Sequence, residues 1–177
     1  MIDRTWFHWS MARLSAGALL AFGIALNEAN AAAPKYDWDR IANVKDAARQ
    51  IGEIQAAQGV DKAFVFITNC YKTHSLGSTF SKYFEGCIAQ DLMLMEALAA
   101  IYSRVDPEQL RRTGSPSVPQ LQAALNHRLG SAYATYNIPP TEAEALKKIV
   151  DTHGMPVFLK IVFPKASAND NEPRKKQ

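Results

Sequence analysis

The sequence predicts an all-α protein: a small helical bundle of about five helices plus short turns, one inter-helix disulfide and a disordered C-terminal tail. Three observations carry that expectation. Apolar residues recur at three- and four-residue steps through most of the chain, capping residues stand ahead of several of these runs, and two cysteines fall on neighbouring runs.

The first 31 residues read as a cleaved export signal. Arg13 leads an apolar run from Leu14 to Leu26, and Ala29-Asn30-Ala31 places small residues where a signal peptidase reads them. The run has 13 residues, whereas a spanning helix needs roughly 20, so no stable membrane span is expected after cleavage. Met11 opens a more ordinary signal than Met1 does, and either fits as the start. No cysteine follows the run, which argues against a lipid anchor. The predicted address is periplasmic or secreted.

Residues 32–164 then form one helical domain and 165–177 a basic tail without a large apolar residue, predicted to stay disordered. The chain carries a formal charge of +3. Arg4 and Arg13 cancel Asp3 and Glu28 in the leader, and the tail holds Lys165, Arg174, Lys175 and Lys176 against Asp170 and Glu172. The domain itself is therefore nearly neutral and offers no electrostatic case for nucleic acid.

Along the domain, Ile41, Val44, Ala48, Ile51 and Ile54 mark one face of a first helix that should stop near Gly59. A second begins at Asp61, with Phe64, Ile67 and Tyr71 on one stripe; residues 63–68 also suit a strand, but the pattern continues to His74 without a turn residue. The third, from about Ser78 to Val105, carries two apolar stripes, Ile88-Leu92-Met95-Ala99-Tyr102 and Leu94-Leu98-Ile101-Val105. So wide an apolar surface needs neighbours on several sides and predicts the bundle centre.

Capping signals open the later elements. Asp106-Pro107-Glu108-Gln109 starts a short turn ending at Gly114, and Ser117-Val-Pro-Gln120 starts a helix with Leu121, Leu125, Leu129, Ala132 and Tyr136 on one face. Thr141-Glu-Ala-Glu144 starts another, carrying Leu146, Ile149 and Val150 inward until Gly154. The segment 157–163 is rich in β-branched and aromatic residues and is the best strand candidate, yet a lone strand has nothing to pair with, so a short packed helix is expected.

Cys70 and Cys87 are the only cysteines, and an oxidising compartment favours joining them. They lie on consecutive helices connected around Leu76-Gly77, with Gly86 expected to let the helices approach. With His74 and Asp91 they make four zinc-ligand types on paper. In antiparallel helices, however, His74 and Asp91 fall roughly 12 Å apart along the axis, too far to share one ion. No metal or cofactor is expected.

No catalytic motif is present, and the chain is expected not to be an enzyme. Glu85, Asp91 and Glu96 are the carboxylates an acid–base reading would use, and ordinary helix-surface positions are the expected alternative. His74, His127 and His153 are expected in structural or surface roles, His153 beside a helix C-terminus. Tyr71, Phe80, Tyr83, Phe84 and Met95 are the candidate lining for a small apolar ligand between helices. The leading expectation is a non-enzymatic exported domain that binds a protein partner, as an accessory envelope component; the alternative is a carrier or sensor of a small apolar ligand.

Overall fold

The computed structural model describes residues 36–164. The expected leader, residues 1–31, and the expected tail, residues 165–177, lie outside the described residues.

Asp39 caps α1 (Arg40–Gln58) by accepting from the Ile41 and Ala42 amides at 2.9 and 3.0 Å. Gly59, at φ 85°, ends α1 and lets α2 (Val60–His74) start at once in a new direction. Residues 63–68 are helical. The central helix α3 (Lys82–Tyr102) is shorter than expected at both ends, because the Ser81 rather than the Ser78 hydroxyl accepts from the Phe84 amide, and Arg104 and Val105 already bond three residues back in a tightening turn.

The short α4 (Pro107–Arg112) follows its Asp106 cap, and α5 (Val118–Thr135) opens on the reciprocal Ser117–Gln120 box that the sequence predicts. Two expectations fail in the last third. Thr141 caps nothing: α6 (Pro140–Ile149) starts one residue earlier, where the fixed φ of Pro140 suits a first helical position. Gly154 stops nothing either, since Val150–Gly154 forms a π turn that carries α6 directly into α7 (Met155–Val162). His153 accordingly sits inside one continuous rod rather than at a helix end. The described residues thus form five long rods and the short α4, without a strand.

Burial follows the two-stripe expectation only over the first part of α3: its residues from Phe84 to Met95 are all buried, with α1, α2, α5 and α6 packed around it, whereas Ile101 of the second stripe is exposed, as is Ile41 of the expected α1 face. Rod α7 runs parallel to α1, as Gly154 meets Val44 and Ile161 covers Gly52. Segment 157–163 is the packed helix expected, anchored by the fully buried Phe158.

The glycines separate two roles. A Cβ built on Gly154 would stand 2.7 Å from Val44 Cγ1 and 2.9 Å from Met93 Sδ, so Gly154 serves close packing while keeping helical dihedrals. Gly86, expected to permit helix approach beside Cys87, does the reverse: a Cβ there meets no atom within 4 Å among the described residues. Hence Gly86→Ala should stabilise by about 0.5–1 kcal/mol through helix propensity, whereas Gly154→Ala should destabilise by about 1–3 kcal/mol through overpacking. Urea unfolding of both variants against the parent tests this opposition of sign.

Candidate ligand-binding cleft

Cys70 and Cys87 are bonded, with Cα atoms 5.7 Å apart, and so tie α2 to α3. The tie matters because α2 buries only Ala63 and Ile67. It holds α2 against α3 with the face made by Phe64, Ile67, Thr68 and Tyr71, a three- and four-residue spacing, turned towards α5. Opposite stand Phe84 and Asp91 of α3 and Arg128, Ser131, Ala132 and Thr135 of α5. Together these three helices enclose a cleft of about 380 Å³. Lys72 and His127 also line it, both exposed to solvent.

Within the cleft, Asp91 is fully buried and takes a bidentate pair from Arg128, Nε to Oδ2 at 2.7 Å and Nη2 to Oδ1 at 2.8 Å. The Tyr71 hydroxyl donates to the same carboxylate at 3.1 Å. Burial first, and then the Asp91 charge and hydrogen bond, push the Tyr71 phenol far above its ordinary range, so it remains a donor at any physiological pH. The hydrogen bond to Asp91 likewise raises Arg128 against the opposing effect of desolvation.

The other two carboxylates of the acid–base reading go elsewhere. Glu85, also fully buried, accepts from Arg40 Nε at 2.6 Å, Trp38 Nε1 at 2.8 Å and Asn43 Nδ2 at 3.2 Å. Arg40 spans on to Glu142 at 3.1 Å and lies 4.1 Å over the Tyr36 ring, while the Tyr36 hydroxyl donates to Glu142 at 3.1 Å. Burial pushes the Tyr36 phenol up to about 12, which keeps that donor protonated. Glu96 meets Lys147 at 2.8 Å on the surface. The three carboxylates serve three separate cations, and the two cysteines are engaged with each other.

Of the five expected lining residues, the structure brings together Tyr71 and Phe84, whose rings meet edge-on at 5.6 Å. Phe80 packs instead in an aromatic cluster with Tyr36, Trp38, Phe84 and Tyr136. Tyr83 is exposed and stacks on His74 at 5.3 Å, beside a second, more polar depression that Cys70 and Gly86 also line. Successive helical residues point about 100° apart, so Tyr83 and Phe84 cannot serve one wall. Met95, three turns further along α3, is core.

Sequence reasoning missed Arg128 as the centre of the site. Its signal was there: on α5 it falls three residues after Leu125 and four before Ala132, a cation within an apolar stripe, as Asp91 is an acid within those of α3. Comparison with protein-family models, curated proteins and solved structures finds no match for this chain.

Proposed function

We propose that this chain is a binding domain that holds a small, largely apolar molecule in the cleft between α2, α3 and α5. The observation that carries the proposal is the cleft itself: its volume of about 380 Å³ lies within the roughly 300–1,000 Å³ range of small-molecule sites, and its exposed lining is mostly apolar, with the Asp91–Arg128–Tyr71 group inside it and Lys72, His127, Ser131 and Thr135 among the other polar residues that line it. Binding is favoured over catalysis because Asp91, the one carboxylate in the cleft, already accepts three hydrogen bonds and is closed to solvent. A general base needs reach to the proton it removes.

A protein partner gains less support. The exposed apolar side chains Val65, Leu76 and Tyr83 sit on α2, the α2–α3 connection and α3, and none of the three lines the cleft. The proposal includes export, supported by the disulfide; among the described residues no helix is long and apolar enough to cross a membrane.

Titration with the neutral fluorescent probe N-phenyl-1-naphthylamine tests the reading. Saturable binding with one probe per chain is expected, and Ser131→Trp, which fills the cleft from an exposed rim position, should abolish it while leaving the urea midpoint unchanged. Absence of saturable binding, or binding indifferent to Ser131→Trp, would overturn the proposal.

A further inference from the structure

Resting on that reading, we infer that the occupant is an amphipathic monoanion: an apolar body bearing one carboxylate or sulfonate, with the body against Phe64, Ile67 and Phe84 and the acid group on Arg128 and Lys72. The argument is charge complementarity. The cleft lining holds a single carboxylate, Asp91, and two permanent cations. Both Asp91 oxygens are taken up by Arg128 and Tyr71, so one positive charge is left over.

Donor capacity remains as well. A guanidinium carries five N–H donors, of which the bidentate pair uses one on Nε and one on Nη2. Arg128 Nη1 has no acceptor among the described residues, and the side chain is one-third exposed where it lines the cleft. Lys72 is exposed and makes no ion pair among the described residues. A neutral apolar ligand would leave these donors to water. A cation would face net like charge, and a dianion would bring one charge more than the cleft leaves unneutralised.

Three probes sharing one alkyl body, octanoate, 1-octanol and octyltrimethylammonium, separate the possibilities when titrated calorimetrically into the intact protein. Octanoate should bind about tenfold or more tightly than octanol, the effect of a charge-assisted hydrogen bond, and octyltrimethylammonium most weakly. Lys72→Gln, a surface change that leaves the Asp91 pair intact, should narrow the octanoate preference severalfold, and added salt should do the same. Equal affinity for octanoate and octanol overturns the inference and leaves the apolar cleft standing. Octanoate binding that survives Ser131→Trp also overturns it, by locating the anion elsewhere. If none of the three probes binds, the inference fails, and the naphthylamine titration decides separately whether the cleft reading fails with it.

Discussion

Arg128→Leu is expected to cost about 3–5 kcal/mol, because it strips the counter-charge from a carboxylate with no solvent exposure and leaves Asp91 only the Tyr71 hydroxyl. A domain of ordinary stability, about 5–15 kcal/mol, would lose a large share of it. The companion variant decides the cause. In Asp91→Leu/Arg128→Leu both charges are gone, and apolar side chains replace them, so part of the loss should be recovered, less about 1–3 kcal/mol for the Tyr71 hydroxyl that loses its acceptor. Urea midpoints for the two single variants and the double variant form the cycle; a double variant as unstable as Arg128→Leu alone would show that shape, not charge, sets the cost. The double variant also bears on binding, since it should keep the neutral naphthylamine probe while weakening the preference for octanoate.

Opening the Cys70–Cys87 bridge, by reduction or by Cys70→Ser/Cys87→Ser, should cost about 3 kcal/mol in the chain-entropy account for a loop of this length. The loss should be uneven. Helix α2 buries two side chains, whereas α3 is buried along most of its length, so amide protection should fall first in α2 and leave α3 near its parent level. Because α2 supplies one wall of the cleft, the naphthylamine probe should be released at denaturant concentrations that still preserve the central helix. Uniform loss of protection in α2 and α3 would count against this.

What could be read from the amino-acid order was whatever depends on local period. The apolar stripes of α1, α2, α3 and α5, the Ser117–Gln120 cap and the proximity of the two cysteines all follow from spacing within one helix or hairpin. What could not be read depends on where one helix meets another. A glycine serves either as a turn or as a gap for a neighbour, and Gly154 turned out to be the gap while retaining helical dihedrals. Gly86 provides neither, being a helical position with open space beside it. The aromatic residues show the same limit: nothing local says whether Tyr83 or Phe84 faces the core. Likewise the partners Arg40 for Glu85 and Arg128 for Asp91 lie 45 and 37 residues away in sequence, beyond the reach of any helical period.

The segment from Tyr36 to Arg40 has a consequence for the order of assembly. Its acceptor Glu142 lies 106 residues downstream of Tyr36, and Glu85 lies 47 downstream of Trp38. Closing so long a loop comes at an entropic penalty that only finished tertiary structure can offset. As the polypeptide is synthesised from its amino end, Trp38 and Arg40 can meet Glu85 once α3 has emerged, whereas Tyr36 and the second Arg40 contact wait for Glu142 of α6, so the front of the described domain is latched in two stages.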